Sequence, residues 1–367
     1  MKVLMLSKAC LVGAYQRKLE AIATHPDVEL TVVVPPEWRD ERGVLRLERE
    51  HTRGYQLVVE PISFNGNFHL HYYPRLGRRI AETQPDVVHI DEEPYNFATL
   101  HALRLAKRHG AKTLFFSWQN LARQYPFPFN WMERAVLNSA DFAILGSHQA
   151  VEVWRAKGYR GPAAVIPQFG VDPDIFAPRP SPGPEREFTV GYAGRFVEEK
   201  GIDLLLRAVV ELEAPARLSL LGAGPARANL EKLARELNLG ERVRFDDWIP
   251  SAQLPAYLLQ LDTLVVPSRS RPNWKEQFGR VLIEAMACGV PVVGSTCGEI
   301  PNVIGDAGLI FPEEDVAALT AHLRALKGDA ALRASFAERG RARVLAHYTQ
   351  AQIAAQTVEV YRKVVAG

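Results

Sequence analysis

The sequence is poor in cysteine, in long apolar runs and in net charge. Its 367 residues include three cysteines, Cys10, Cys288 and Cys297, and none of them belongs to a CxxC pair. A disulfide framework or a zinc knuckle is therefore not indicated, and a reducing compartment is expected. The net charge of +2 disfavours a nucleic-acid-binding protein, because such domains usually carry a large basic excess.

Membrane spans and extensive disorder are not indicated either. No stretch approaches the ~18 apolar residues of a transmembrane helix, and the first residues contain an apolar run too short for a signal peptide. We therefore expect a cytoplasmic protein, with peripheral membrane contact left open. Hydrophobic residues make up 47% and charged residues 23% of the chain, which is typical of a globular protein, and the length favours two domains.

Short apolar runs alternate with helical stretches along the chain. Strands that are apolar on both faces are typical of parallel sheets covered by helices, so the alternation predicts βαβ units. The alternation stops between Gly170 and Glu187, a stretch with five prolines, and restarts at Phe188. We predict a first domain over residues 1–172, a proline-stiffened linker over 173–187, and a second domain from residue 188.

The clearest indication of chemistry is the segment Pro267–Gly289, with the sequence PSRSRPNWKEQFGRVLIEAMACG. A polar loop follows a predicted strand, and a helix is predicted to begin near Gly279. A helix N-terminus attracts anions, and a glycine there lets a phosphate approach the backbone. The amides expected to face outward at this helix start are those of Gly279, Arg280, Val281 and Leu282.

Two glutamates flank the predicted anion site. Glu276 lies in the loop, and Glu284 lies eight positions later in the helix. Carboxylates on both sides of a phosphate suit a nucleotide sugar, which has ribose hydroxyls at one end and sugar hydroxyls at the other. In the alternative interpretation, Glu284 only complements the helix dipole and Glu276 is a solvated loop charge.

A second loop, within Gly191–Gly201, carries two cations. Gly194 and Arg195 follow a predicted strand, and Lys200 comes five residues after Arg195. Arginine offers a planar fork to phosphate oxygens and lysine offers a point charge, so the pair suits a diphosphate. The alternative is a solvated loop whose cations pair with neighbouring glutamates. Such surface ion pairs contribute little to stability. Because both loops lie at the same predicted domain edge, we favour the diphosphate interpretation.

Two weaker patterns also follow predicted strands. Gly222 and Gly224 stand in a turn like part of a dinucleotide fingerprint, but the third glycine of that fingerprint is missing. We therefore favour the approach of a nucleobase over the binding of NAD. Glu92 and Glu93 follow the predicted strand Val87–Ile90. These two glutamates either bind or deprotonate acceptor hydroxyls, or they cap a helix and solvate the loop.

These motifs, in this order, resemble the retaining glycosyltransferases of family 4, which have the GT-B fold. The resemblance covers almost the whole chain. Its most specific element is the E-x7-E spacing from Glu276 to Glu284, and the other motifs are GVDPDIF (Gly170–Phe176), GRFVEEKG (Gly194–Gly201) and LLGAGP (Leu220–Pro225). It implies an α/β protein with two Rossmann-like, doubly wound parallel-sheet domains that face each other across a cleft. The second domain is then expected over 188–345, and a last helix within 346–367 is expected to cross back to the first.

The resemblance also implies roles for the site residues. The expected catalytic residues are Arg195 and Lys200, which bind the donor diphosphate, and Glu276, which contacts the transferred sugar. Glu284 is expected to hold the nucleotide ribose. The expected donor-binding residues are Gly13, Gly194, Gly222, Gly224, Phe278, Gly279, Arg280, Val281, Leu282 and Glu284. The family needs no metal, so neither a metal nor another cofactor is expected.

The sequence departs from the family pattern in the first domain. Many members carry a histidine beside the reacting carbon, and the corresponding stretch Thr113–Asn120, TLFFSWQN, has none. Gln119 and Asn120 stand in its place, so they join Glu92 and Glu93 as acceptor-side candidates. An amide can hold a hydroxyl but cannot act as an acid or base near neutral pH. Either the sugar is held differently, or the aligned position lies elsewhere.

The predicted function is the metal-independent, retaining transfer of a hexose-type sugar from a UDP- or GDP-sugar to a hydroxyl acceptor. The acceptor is expected to be a sugar, a lipid-linked molecule or another small molecule, in glycan, glycolipid or polysaccharide synthesis. Two alternatives stay open: a nucleotide-sugar epimerase or hydrolase, and a non-catalytic nucleotide-sugar binder. No nucleic-acid partner is expected.

Overall fold

The computed structural model describes residues 1–40, 43–179, 187–213 and 215–367. They form two compact units. The first contains Met1–Gly170 together with Gln350–Gly367, and the second contains Val171–Thr349. Part of the predicted linker, residues 180–186, lies outside the described residues.

The described part of the first unit is built on a sheet of seven parallel strands. The strands of this unit are β1 (Lys2–Leu6), β2 (Glu29–Val34), β3 (Glu37–Asp40), β4 (Gly43–Arg46), β5 (Gln56–Val59), β6 (Val87–Ile90), β7 (Lys112–Ser117), β8 (Phe142–Leu145) and β9 (Ala163–Val165). The sheet has the order β5-β2-β1-β6-β7-β8-β9, and β3 and β4 form a separate antiparallel hairpin. Its helices include α1 (Arg17–Ala23), α2 (Leu76–Thr83), α3 (Phe97–Arg108), α4 (Phe129–Leu137) and α5 (His148–Ala156).

Both faces of this sheet are buried. Along β1, Leu4 and Leu6 belong to one hydrophobic cluster, whereas Val3 and Met5 belong to another on the opposite face. This alternation follows from the two-residue period of a strand. Burial on both faces explains why the strands have nearly continuous apolar sequences.

The described part of the second unit contains a parallel sheet of six strands. They are β10 (Phe188–Ala193), β11 (Ala216–Leu221), β12 (Val243–Asp246), β13 (Thr263–Val266), β14 (Val292–Ser295) and β15 (Leu309–Phe311), in the order β12-β11-β10-β13-β14-β15. The helices are α6 (Ile202–Val210), α7 (Arg227–Glu236), α8 (Leu254–Leu258), α9 (Arg280–Ala287), α10 (Ile300–Ile304), α11 (Val316–Gly328) and α12 (Ala330–His347).

The chain returns to the first unit through α13 (Gln350–Ala366). In this helix, Tyr361 is fully buried, and its hydroxyl lies 2.7 Å from Nδ1 of His89 in β6. The C-terminal segment predicted from residue 346 overlaps the end of α12, because the buried Val344 and the ring of Tyr348 still pack in the second unit. No helix among the described residues combines the length and the apolar character needed to cross a bilayer.

Each sheet has a topological switch point, at which successive strands are added on opposite sides. It lies between β1 and β6 in the first unit and between β10 and β13 in the second. Ligands of doubly wound proteins bind beyond the carboxyl ends of the strands at such points. The predicted diphosphate loops follow β10 and β13, and the predicted acceptor-side glutamates follow β6.

Candidate functional site

The two predicted diphosphate loops of the second unit are in contact. The amide of Arg269, after β13, donates a 2.8 Å hydrogen bond to the carbonyl of Glu199, after β10. Gly201 has φ +64°, and a Cβ there would collide with the carbonyl oxygen of Pro267. Glycine at this position therefore lets the two loops meet, and it also permits the left-handed backbone.

The turn after β11 completes this edge of the second sheet. The amide of Phe196 donates to the carbonyl of Ala223 at 2.8 Å. A Cβ on Gly222 would collide with the carbonyl oxygen of Gly194. The predicted donor-binding glycines Gly194 and Gly222 are thus adjacent, and their lack of side chains is a condition of this packing.

Lys200 and Glu276, predicted from separate loops, form a direct ion pair. Nζ of Lys200 lies 2.6 Å from Oε2 of Glu276, and Oγ of Ser268 donates to the same oxygen at 3.0 Å. The ring of Trp274 lies 4.8 Å from the ammonium, which adds a cation–π contact. Glu276 is only 8% exposed. A buried carboxylate is therefore held in one place beside a cation at the switch point.

The turn after β14 supports Glu276 from behind. The amide of Glu276 lies 3.5 Å from Sγ of Cys297, and its carbonyl accepts a 3.1 Å hydrogen bond from the amide of Glu299. Gly298 has φ +60°, and a Cβ there would collide with the backbone of Glu276. The sequence did not predict this turn, although Gly298 lies only three residues after the end of β14.

The helix predicted near Gly279 is α9, with Gly279 as its N-cap at φ +75°. The amide of Leu282 donates a 2.8 Å hydrogen bond to the carbonyl of Gly279. This differs from the sequence prediction, because the first turn closes on itself and that amide does not face outward. Phe278, just before the cap, is buried and packs edge-to-face on Tyr348, with ring centroids 5.7 Å apart.

Glu284 lies one turn inside α9. It is 5% exposed, and Oε1 lies 2.8 Å from Nε of Arg280. Burial raises the pKa of its carboxyl above the ordinary value, and the neighbouring guanidinium offsets this only in part. A carboxyl held in such surroundings is well placed to accept hydrogen bonds from hydroxyl groups.

Arg195 differs from the other predicted catalytic residues in being exposed. Its backbone carbonyl accepts a 2.9 Å hydrogen bond from the hydroxyl of Tyr192, which positions the loop. Within the described ranges, no carboxylate lies within ion-pair distance of its guanidinium. The side chain can therefore turn to an incoming anion without breaking an existing salt bridge.

The acceptor-side candidates gather at the carboxyl edge of the first sheet. Lys8, after β1, forms an ion pair with Glu92, after β6, and Nε2 of His71 lies 3.6 Å from the same carboxylate. Burial alone would raise the pKa of Glu92, but the charges of Lys8 and His71 lower it to about 2. These partners therefore favour the ionised form of Glu92.

Glu93 has the opposite electrostatic character. Its carboxylate accepts hydrogen bonds from Oγ of Ser117 at 2.5 Å and from the amide of Trp118 at 2.9 Å. Burial nevertheless raises its pKa to about 7. The same Ser117 hydroxyl accepts a 3.0 Å hydrogen bond from the amide of Gln119, so Glu93 also orients the segment that carries Gln119 and the buried Asn120.

Gly13 is covered by a loop that the sequence did not reveal. Its amide donates a 2.6 Å hydrogen bond to the carboxylate of Glu48, and a Cβ at this position would collide with the side chain of Glu50. The loop is fastened by Gln16, whose side chain bonds to the backbone of Cys10, Glu48, Glu50 and His51. In this structure the Gly13 amide thus already holds an anionic group.

Comparison with known families accounts for both units. The model for glycosyl transferases group 1 matches residues 175–343, and the model for a glycosyl transferase 4-like domain matches residues 12–168. The chain belongs to the group 1 glycosyl transferases. The match over residues 12–168 contains all the predicted acceptor-side residues. The match over residues 175–343 contains Arg195, Lys200, Glu276 and Glu284.

Curated relatives of this group 1 glycosyl transferase match it in part. The GDP-mannose-dependent α-(1-6)-phosphatidylinositol monomannoside mannosyltransferase of Mycolicibacterium smegmatis is 33% identical over 198 residues, 49% of this chain and 52% of that protein. The D-inositol 3-phosphate glycosyltransferase of Mycobacteroides abscessus is 32% identical over 294 residues, 74% of this chain and 58% of that protein. The chain spans about half the length of the curated relatives it matches.

A solved structure resembles this group 1 glycosyl transferase along its whole length. Anabaena HepE in complex with UDP has a TM-score of 0.76 at 18% identity, and the match covers 99% of this chain and 100% of that one. Together with the two parallel sheets, this likeness confirms the predicted GT-B fold.

Proposed function

We propose that this group 1 glycosyl transferase moves a sugar from a nucleoside diphosphate sugar to a hydroxyl acceptor. The observation that carries the proposal is the buried Glu276 held by Lys200 at the switch point of the second sheet, beside the start of α9. A carboxylate, a cation and helix amides at one sheet edge offer ligands for sugar hydroxyls and for a diphosphate.

The donor pyrophosphate lies, in this proposal, between Arg195, Lys200 and the first amides of α9. Lys200 then exchanges the Glu276 carboxylate for a phosphate oxygen, and Glu276 becomes free to accept hydrogen bonds from the transferred sugar. Glu284 accepts hydrogen bonds from the ribose. Because these groups are fixed before the reaction, they stabilise the charge that develops on the departing phosphate.

The transfer itself needs no residue to form a covalent bond. The bond between the anomeric carbon and the phosphate oxygen breaks, and a bond from that carbon to the acceptor oxygen forms on the same face. The acceptor proton passes to the departing phosphate oxygen. Configuration is retained because the new bond forms on the face from which the phosphate leaves. Glu92, Glu93, Gln119 and Asn120 hold the acceptor hydroxyls, and the cations Arg195 and Lys200 take the place of a divalent metal.

The nucleotide is UDP or GDP. The name of the Mycolicibacterium relative includes GDP-mannose, and HepE was solved with UDP. These two comparisons support a pyrimidine or purine nucleoside diphosphate equally, so both belong in every assay.

Substitution of the proposed phosphate and sugar ligands tests this function. We expect Arg195→Ala and Glu276→Ala to lower kcat/KM by about 10²–10³-fold, because each removes a group that stabilises the transition state. Release of UDP or GDP in the presence of an acceptor is the measurement. Arg207→Ala and Glu241→Gln change exposed residues of the same unit and should leave the rate unchanged.

The outcomes also separate the alternatives. Wild-type turnover in both site variants contradicts the assignment of the site. Donor consumption without any acceptor indicates an epimerase or hydrolase, and tight donor binding without turnover indicates a non-catalytic binder.

A further inference from the structure

The first unit has its own switch point, between β1 and β6, and an unusual set of side chains lies there. The ammonium of Lys8 is paired with Glu92 and lies 4.8 Å from the ring of Phe68 and 5.4 Å from the ring of Trp38. Phe68 is 42% exposed, whereas Trp38 is buried. An exposed ring beside a buried carboxylate offers both an apolar surface and a hydrogen-bond acceptor.

Buried polar atoms at this edge have no partner in the part of the chain that the structure describes. Oε1 of Glu92 and both polar atoms of the Asn96 side chain are buried, and none has a hydrogen-bond partner among the described residues. Glu92 is 3% exposed and Asn96 is fully buried. Because an unsatisfied buried polar group is costly, such atoms are normally completed by water or by a ligand.

The charges at this edge are mainly negative. Asp91, Glu92 and Glu93 follow β6 directly, and Lys8 forms an ion pair with Glu92. Glu92 and Glu93 are close enough for the charge of Glu92 to raise the pKa of Glu93. Other charged or titratable groups near this edge are His71 beside Glu92, His69 against the ring of Phe68, and Glu48 on the Gly13 amide. Arg123 acts on Tyr95 and Tyr125, and the buried Lys18 acts together with Asp91 on Cys10. Even with these cations, carboxylates are in excess.

We infer that the acceptor enters this edge as an uncharged hydroxylated ring, a pyranoside or cyclitol without a phosphate or carboxylate on the part that is bound. Its C–H face packs on Phe68, and its hydroxyls form hydrogen bonds with the buried polar atoms of Glu92 and Asn96. An anionic substituent is repelled by the excess of carboxylates. The inference rests on the proposed transfer reaction and adds the class of acceptor to it.

Matched acceptor pairs test this selectivity. Mannose with mannose 6-phosphate, and myo-inositol with its monophosphate, are offered to the full chain at pH 8 with UDP-glucose, UDP-N-acetylglucosamine and GDP-mannose. We expect kcat/KM, from product mass spectrometry, to be about tenfold or more higher for an uncharged member than for its phosphorylated partner. The preference should shrink with added salt, because salt screens the repulsion.

Two variants address the charge and the ring separately. Glu92→Gln should narrow the preference severalfold, whereas Glu29→Gln, an exposed glutamate at the opposite end of the same sheet, should not. Phe68→Ala should raise the KM for the ring about tenfold, whereas Phe127→Ala, which removes a ring that is 79% exposed, should have no effect. If Glu92→Gln does not fold, the comparison of Phe68→Ala with Phe127→Ala and the salt dependence still test the inference.

Binding of UDP and GDP is measured by thermal shift in the same samples. It shows whether a negative result contradicts the proposed function or only this inference. No shift with either nucleotide contradicts the proposed function itself. A nucleotide shift together with a preference for the phosphorylated acceptor, or with no product from any uncharged ring, overturns this inference alone.

Discussion

Two adjacent carboxyl groups in the first unit show how far local surroundings decide the state of a residue. Glu92 and Glu93 are neighbours in sequence, yet the pKa is lowered to about 2 in the first and raised to about 7 in the second. The difference follows from partners: Glu92 meets a lysine and a histidine, whereas Glu93 meets a hydroxyl and an amide. Formal charge is a stronger partner than a neutral donor for a buried anion.

The raised pKa of Glu93 predicts a pH-dependent stability. The ordinary pKa is 4.5 and the folded value is about 7, so between these values the folded chain holds more protons than the unfolded chain. The free energy of unfolding therefore falls as pH rises through this window. Glu93→Gln cannot ionise at this position. Between pH 5 and pH 8, we expect its free energy of unfolding to rise by on the order of 2 kcal/mol relative to that of the wild type. Urea unfolding at several pH values measures this difference.

Glu29→Gln is the control for this effect, because Glu29 is exposed at the start of β2. Its stability relative to wild type should not change over the same range. A difference between Glu93→Gln and wild type that is independent of pH contradicts the prediction.

At the scale of elements, the second unit depends on loops that touch through their backbones. Gly201, Gly222 and Gly298 each stand where a Cβ would collide with the backbone of another loop. The result is a continuous edge across β11, β10, β13 and β14, on which Lys200 and Glu276 meet. These glycines therefore allow the loops to pack closely enough for Lys200 and Glu276 to form their ion pair.

Gly201→Ala tests this dependence. The residue has φ +64°, and the new methyl group would collide with the carbonyl of Pro267. We expect both a lower melting temperature and a loss of about tenfold or more in kcat/KM, because Lys200 precedes the displaced residue. Gly240→Ala is a matched control: its φ is +50°, but a Cβ there meets nothing within 4 Å.

Comparison of the two variants isolates the loop contact. Both bear the cost of a left-handed alanine, about 1–2 kcal/mol, and only Gly201→Ala bears the collision. Equal melting temperatures and equal rates in the two variants would show that the contact between the loops is unimportant.

The elements also show what sequence reasoning can and cannot reach. Arg195, Lys200, Glu276 and Glu284 were predicted because they lie in two short loops and in the helix that follows one of them, where local spacing carries the information. Cys297 and Ser268 were not, because their contacts with Glu276 depend on the packing of separate strands. Strands β5 and β15 were not predicted because they contain only four and three residues, which give too short a pattern.

For the whole molecule, the sequence predicted two parallel-sheet units, which the GT-B fold confirms. It did not predict the loop that covers Gly13, because residues 48–51 are mainly polar and have no regular period. Only the folded chain shows that Gln16 fastens them. Long-range contacts of this kind depend on the whole unit, so no local pattern announces them.

The assignment of donor binding to protein cations predicts nucleotide binding without a metal. At a concentration of 100 times Kd, a ligand of the folded state adds about 2.7 kcal/mol, which corresponds to a rise of several degrees in Tm for a unit of this size. We expect UDP or GDP to produce this rise equally in EDTA and in Mg²⁺, because the proposal assigns the phosphates to Arg195, Lys200 and the start of α9. Uridine and guanosine, which lack the diphosphate, should produce little or none. A rise that appears only with Mg²⁺, or one that the free nucleosides reproduce, contradicts this assignment of the phosphate site.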